Sequence, residues 1–169
     1  MYRHIFVVRG VLETIRRETE TALCRETGGP LVGYVSRDGA LVVTDAGGPG
    51  PRAKLTPLSV TIDGQSATAF CDNIERNSGG SLYYVGDWHR HVGIALKPSD
   101  RDISTMRAMA VHESCPLRSP ISLIYRVWPR RYTVYVVSEE RGLVPLPSTP
   151  IAEIPGNSEP AKWPLQRAK

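Results

Sequence analysis

The stretch Leu82-Tyr-Tyr-Val-Gly-Asp-Trp-His-Arg-His91 decides both the predicted fold and the predicted site. Its first four residues are large and β-prone, so they predict a strand that runs toward the histidines. Alternate residues of a strand point to the same face of a sheet. His89 and His91 can therefore reach a single metal ion at the end of that strand. Because a His-x-His pattern is common by chance, the prediction depends on further ligands.

The segment after the histidines supplies a carboxylate. Pro98-Ser-Asp-Arg-Asp102 begins a predicted helix over residues 100–112, and Asp102 lies eleven residues after the second histidine. Two histidines and this carboxylate make three protein ligands, the number typical of catalytic zinc, which leaves the fourth position for water. Ser99-x-x-Asp102 also matches a helix capping box, and a capped helix start is compatible with holding Asp102 toward a metal. Asp100 is an alternative ligand that the spacing disfavours.

A second carboxylate lies toward the N-terminus. Glu26 follows a predicted helix and precedes a predicted strand. Close to a water activated by zinc it would take a proton as general base, since zinc lowers the pKa of water from 15.7 to about 7. A glutamate at a helix end is, on its own, most often a solvated charge. The interpretation as a base depends on the fold bringing Glu26 to the histidines.

The order of the other elements predicts an α+β (α/β-like) domain with one sheet and helices packed around it. The predicted strands cover residues 4–8, 31–35, 41–44, 57–63, 82–85, 121–127 and 132–137, and the predicted helices cover 11–24, 65–76 and 100–112. The first helix has an apolar face at helical spacing, made of Val11, Leu12, Ile15, Thr19, Ala22 and Leu23. Gly28-Gly-Pro30 is predicted to end it, because glycine suits a helix C-cap and proline cannot continue a helix. Asp38-Gly39 predicts a hairpin.

Composition divides the chain near residue 145. Residues 1–144 are predicted to form one domain, a normal size for a single core. Residues 145–169 hold six prolines among 25 residues. This segment is predicted to be an extended or disordered tail that Trp163 pins to the surface.

Charge and cysteine content limit the class of protein. The net charge is +4 and the positive residues are spread along the chain, which gives little support for a nucleic-acid partner. Three cysteines, an odd number without a C-x-x-C pair, disfavour a disulfide framework and exclude a cysteine-rich zinc site. Reduced cysteines and the lack of a long apolar run at the N-terminus predict a cytoplasmic protein without a membrane span.

The combination of Glu26, Trp88-His-Arg-His91 and Pro98-Ser-Asp-Arg-Asp102 resembles the JAMM motif of the JAB/MPN (Mov34) metalloprotease family. That motif runs Glu, a long gap, His-x-His, seven residues, Ser, two residues and Asp, and residues 92–98 supply the seven. The glycine-rich segments at residues 47–51 and 78–88 also look like the bacterial branch found in ubiquitin-like conjugation and anti-phage (CBASS-like) operons. The resemblance implies a mixed, curved sheet flanked by helices, the cytidine deaminase-like MPN fold.

The resemblance also implies a role for each matching residue. His89, His91 and Asp102 match the ligands of one zinc ion, Glu26 matches the general base that later protonates the leaving amine, and Ser99 matches the donor to the oxyanion. The family usually has threonine between the histidines and proline after them, whereas this chain has Arg90 and Val92. Neither position supplies a ligand, so the departures concern contacts beside the metal.

The implied function is a metallo-isopeptidase or peptidase that cuts after the C-terminal tail of a ubiquitin-like protein or its conjugate, with E1/E2-like proteins of the same operon as further partners. Two alternatives remain open. One is a nucleic-acid-associated JAB protein of the DNA-repair type, which the pI of about 9.1 slightly favours. The other is a non-catalytic MPN scaffold, which the retention of all ligand positions disfavours.

Overall fold

Eight strands form one mixed sheet in the computed structural model, which describes residues 2–93, 95–138, 142–145 and 152–154. The elements are β1 Ile5–Val8, α1 Arg9–Ala22, β2 Thr27–Val35, β3 Leu41–Ala46, β4 Lys54–Thr56, β5 Ser59–Thr61, α2 Gly64–Asn77, β6 Tyr83–Arg90, α3 Asp100–Ala110, β7 Ile121–Arg126, β8 Arg131–Ser138, β9 Gly142–Pro145 and β10 Ala152–Ile154. The strand order is β10-β1-β3-β2-β6-β7-β8-β9, and β4 and β5 form a separate hairpin.

The sheet contains both parallel and antiparallel strand pairs. β1 is parallel to both β10 and β3, and β6 is parallel to β7. The other neighbours are antiparallel. This arrangement confirms the prediction of a mixed α+β domain with one sheet and helices around it.

The two faces of the sheet carry different helices. Val11 and Ile15 of α1 belong to one buried cluster with Leu31, Trp88 and Leu123 of the central strands. Burial of each such side chain contributes about 1.5–3 kcal/mol to folding. This cluster makes the α1 face the larger part of the core.

The opposite face lies under α2 and α3. Met106 of α3 clusters with Ile124 and Tyr135, and α2 packs through Phe70 and Ile74 on the residues of β2 and β3. Leu123 and Ile124 are neighbours in β7 and point to opposite faces, as the twofold period of a strand requires. The domain is therefore a sheet between two helical layers.

Helix α1 is present as predicted, but both of its ends differ from the predicted range. α1 starts two residues earlier than expected and ends at Ala22, with Val11, Ile15 and Thr19 on its buried face. Leu23, predicted on that face, is 71% exposed and has φ of 55°. A left-handed conformation cannot continue a right-handed helix, so the chain leaves α1 at this residue.

Gly28-Gly29-Pro30 does not end the helix, and that prediction was wrong. All three residues lie inside β2, where Gly28 pairs with His89 of β6. A Cβ atom on Gly28 would lie 2.5 Å from the Trp88 carbonyl oxygen and 3.1 Å from the His89 Cβ. Gly28 lets the two strands approach closely, because it has no side chain. Composition alone does not distinguish such a glycine from one that caps a helix.

The other predicted elements vary in accuracy. The β2–β3 hairpin turns at Gly39, whose φ is 82°, as expected of an Asp-Gly turn. The strand predicted over residues 57–63 is present but shorter, as β5, and it pairs with β4 in a hairpin that the sequence did not predict. In the predicted tail, residues 152–154 form β10 beside β1, and Trp163 lies outside the described residues.

No helix in the described part of the chain is long and apolar enough to cross a membrane.

Candidate metal centre

A β-bulge in β6 aligns the residues that lead to the histidines. The register between β2 and β6 shifts after Leu31, which pairs with Gly86, while the next residue of β2 pairs with Tyr84. Val85 is the extra residue of the bulge, and a bulge changes the face to which the following side chains point. As a result Trp88 enters the α1 face, where its indole donates to the Gly47 carbonyl at 2.8 Å, and His89 enters the α2–α3 face.

The third member of the cluster comes from the start of α3. Ser99 is the N-cap, and its hydroxyl accepts a bond from the Asp102 backbone N–H at 3.2 Å. The Asp102 carboxylate accepts from the Ser99 backbone N–H at 2.7 Å, which completes a capping box. The predicted cap is therefore present, and it fixes the carboxylate at the helix start.

Three ligand atoms converge on one point. His89 Nε2 and His91 Nε2 lie 2.9 Å apart, and each lies 3.4 Å from Asp102 Oδ2. A tetrahedral zinc centre with bonds of 2.0–2.1 Å requires ligand atoms about 3.3 Å apart. The spacing and the donor set of two imidazoles and one carboxylate fit a metal ion, and the cluster can bind one. Asp100 is exposed and outside the cluster.

The charges of the cluster are mutually dependent. Burial opposes ionisation of Asp102, but hydrogen bonds from His89 and His91 outweigh it and hold the pKa of this carboxyl well below its usual range. The hydrogen bond to Asp102 in turn raises the pKa of His91. The carboxylate therefore stays ionised at neutral pH, as a metal ligand must.

Glu26 shares a cleft with the cluster. A cavity of about 850 Å³ is lined by Glu26, His89, Ser99 and Asp102 at one end, and the Glu26 backbone N–H donates to the Thr56 carbonyl at 2.7 Å. Burial raises the pKa of the Glu26 carboxyl, and the two histidines partly offset this effect. The structure thus brings together the five residues that the sequence singled out, from three separate segments of the chain.

Arg90 has a structural role that the sequence did not reveal. Its side chain is 9% exposed and points away from the cleft, toward the end of α1. Arg90 Nη1 donates to the Thr19 carbonyl at 3.1 Å and also to the Leu23 carbonyl. These carbonyls lie at the C-terminus of the helix, where a cation is favourable. The residue between the histidines therefore ties β6 to the turn that leads to Glu26.

Replacement of Arg90 by alanine is expected to lower the free energy of unfolding by about 2–3 kcal/mol, because two carbonyls at the helix end lose a charged donor and the bond to the Thr19 carbonyl is buried. Lysine at this position should recover part of the loss, since an ammonium keeps the charge without the planar geometry of the guanidinium. Urea unfolding of the purified proteins measures the effect. Arg16→Ala is the matched control, because Arg16 is an exposed arginine of α1 in a surface pair with Glu20. Equal losses in Arg90→Ala and Arg16→Ala would contradict the capping role.

Comparison with known proteins finds one similar sequence and one similar structure among others. The CD-NTase/cGAS isopeptidase of Enterobacter hormaechei subsp. hoffmannii (strain UCI 50) is 27% identical over 120 residues, which are 71% of this chain. The match covers 66% of that relative, so the chain spans just under two thirds of its length. The solution structure of protein DSY2949 from Desulfitobacterium hafniense has a TM-score of 0.66, with 16% identity over 97% of this chain and 99% of the other. This likeness shows a shared fold. No protein-family model matches the chain.

Proposed function

We propose that this chain is a zinc-dependent hydrolase of the JAMM type that cuts the peptide or isopeptide bond after the C-terminal tail of a ubiquitin-like protein or its conjugate. The observation that carries the proposal is the convergence of His89, His91 and Asp102 at 2.9–3.4 Å, with Glu26 in the same cleft. The name of the Enterobacter relative supports an isopeptidase. It also favours a conjugate in a CD-NTase context as substrate. E1/E2-like proteins as partners and a cytoplasmic location complete the proposal and rest on the motif resemblance alone.

The residues divide the work of hydrolysis. His89, His91 and Asp102 would hold the zinc ion, which supplies Lewis-acid polarisation of the scissile carbonyl and acidifies the attacking water. Glu26 takes one proton from that water as its oxygen bonds to the carbonyl carbon. The same carboxyl then gives the proton to the leaving amine as the carbon–nitrogen bond breaks. A raised pKa suits both steps, because the best acid–base group has a pKa close to the working pH.

Ser99 has a competing partner for its single hydroxyl proton. Ser99 Oγ donates to Asp102 Oδ2 at 2.7 Å in this structure. To stabilise the oxyanion, the hydroxyl must turn from Asp102 to the substrate, and the backbone N–H of Ser99 continues to hold the carboxylate meanwhile. A donor of this kind typically contributes about 10²–10³-fold to kcat.

The decisive experiment measures metal and cleavage together. Freshly purified protein should contain about one zinc per chain and should cleave a fusion of a ubiquitin-like domain to a reporter, directly after the tail. Removal of zinc by a chelator should abolish cleavage, and added zinc should restore it. Protein without a transition metal, or cleavage that resists the chelator, would overturn the proposal. The nucleic-acid alternative receives no support from the cleft, which is rich in carboxylates.

The cysteines are expected to be dispensable for cleavage. Cys71 lines the cleft, but burial and then the charge of Asp87 raise the pKa of its thiol to about 12. Burial also raises the pKa of Cys115. A thiol that stays protonated at neutral pH is a poor nucleophile. Replacement of Cys24, Cys71 and Cys115 by serine should keep kcat/KM within about threefold and zinc content unchanged. Complete inactivation of a folded, zinc-loaded Cys71→Ser protein would instead favour a cysteine hydrolase.

A further inference from the structure

The cleft continues past the metal ligands to a second group of polar side chains. Tyr84, Asp87 and Ser122 line the same cavity as His89. The bulge at Val85 brings Tyr84, Asp87 and His89 to one face of the sheet, and Ser122 of β7 is the register partner of Asp87. With a rise of 3.3–3.4 Å per residue, Asp87 lies about 7 Å from His89 along the strand.

Two hydroxyls in this group, those of Tyr84 and Ser122, lack a hydrogen-bond partner within the described part of the chain. Ser122 is 1% exposed, and its Oγ atom forms no hydrogen bond within the described part of the chain. Buried polar atoms are almost always hydrogen-bonded, so an unpaired one that lines a cavity indicates a group that enters from outside. Asp87 lies beside it on the neighbouring strand and supplies an anionic acceptor.

The cleft is also unusually acidic for this protein. The chain carries 21 basic and 17 acidic residues, yet six carboxylates and one guanidinium line the cleft among the described residues. The carboxylates are Glu26, Asp72, Glu75, Asp87, Asp102 and Glu113. The guanidinium belongs to Arg101, whose positive charge lowers the pKa of Glu26 at the metal end of the cleft. Asp72, Glu75 and Asp87 all raise the pKa of the Cys71 thiol, so these three carboxylates lie near that side chain. We call this part of the cleft its inner end.

We propose that the inner end of the cleft, formed by Asp87 and Ser122 with Asp72 and Glu75 of α2, is a specificity pocket for a lysine or arginine side chain of the substrate. This inference rests on the proposed hydrolytic function. A long basic side chain from a residue within two positions of the scissile bond spans the distance of about 7 Å from the metal end. Its head group donates several hydrogen bonds, which match the Asp87 carboxylate and the unpaired Ser122 hydroxyl.

A panel of fusion substrates tests the pocket. In each fusion, one position from two before to two after the scissile bond is changed to lysine, arginine, methionine or glutamate. At one position the wild-type enzyme should cleave the lysine or arginine substrate about tenfold faster in kcat/KM than the methionine substrate, with glutamate slowest. Asp87→Asn should reduce the ratio of kcat/KM for the lysine substrate to kcat/KM for the methionine substrate to near one. Ser122→Ala should reduce this ratio in part.

Glu13→Gln is the matched control, because Glu13 is an exposed carboxylate of α1 outside the cleft. It removes one negative charge from the protein and should leave the ratio unchanged. Equal kcat/KM for lysine and methionine at every position, or an unchanged preference in Asp87→Asn, would overturn the pocket.

A binding measurement that needs no cleavage tests the pocket independently of the proposed function. Nα-acetyl-lysinamide should cause saturable NMR shifts at the backbone amides of Asp87 and Ser122, whereas Nα-acetyl-methioninamide should not. The shifts should be lost in Asp87→Asn and kept in Glu13→Gln. If no fusion is cleaved, the proposed function fails, while the lysinamide shifts still decide the pocket. Cleavage of the fusions without any lysinamide shift in the wild-type protein would overturn the pocket alone.

Discussion

Glu26→Gln protein is expected to fold and to retain its zinc, but to lose about 10²–10⁴-fold of kcat for a ubiquitin-like fusion. Glutamine has nearly the shape of glutamate and keeps the backbone bond from residue 26 to Thr56, so the fold is preserved. Its amide cannot take a proton from water at neutral pH. The zinc content should not change, because the three ligand atoms of the cluster come from other residues.

The pH profile gives this prediction an independent readout. Glu26 acts as a base only when ionised, and burial raises its pKa above the ordinary value of 4.5. Activity of the wild-type enzyme should therefore be full above the raised pKa and should fall as the pH decreases through it. This acid limb should be missing from the residual activity of Glu26→Gln and present in Glu13→Gln. Near wild-type turnover by Glu26→Gln would mean that Glu26 is only a charge at a helix end.

The sequence predicted the cluster correctly because local rules determine its parts. Residues i and i+2 of a strand share a face, which is enough to pair His89 with His91. A capping box fixes both the start of α3 and the carboxylate of Asp102, so a local pattern again gives the position of a side chain. The convergence of Glu26 with these groups is a long-range property, and the motif resemblance supplied it.

The errors have a common physical cause. The predicted end of α1 at Gly28-Gly29-Pro30 used local preferences, whereas the place of Gly28 is set by Trp88 and His89 on the adjacent strand. Arg90 likewise bonds to carbonyls 67 and 71 residues earlier in the chain, so no local pattern reveals its partners. Contacts of this kind depend on which strands become neighbours in the sheet. Local patterns in a single sequence do not reveal that strand order.

Asp102→Ala is expected to lose zinc and activity together, with less than about one tenth of the wild-type metal, because two imidazoles alone do not make the three-ligand set of a catalytic zinc site. Asp102 also belongs to the capping box, so the alanine variant loses about 1 kcal/mol of stability as well. Asp102→Asn separates the two effects. Its side-chain oxygen can still accept from the Ser99 backbone N–H, while a neutral amide is a much weaker ligand than a carboxylate.

Asp100→Ala provides the matched control in the same helical turn. Asp100 and Asp102 are both acidic residues in the first turn of α3, so each stabilises the positive helix end by a similar amount, about 0.3–1 kcal/mol. Of these two residues, Asp102 is the one whose carboxylate lies 3.4 Å from both imidazole nitrogens. Elemental analysis should therefore find zinc in Asp100→Ala and almost none in Asp102→Asn, although both proteins have lost one carboxylate at the same helix end. The reverse result would assign the third ligand to Asp100 and would require α3 to begin in a different register from the one that Ser99 caps.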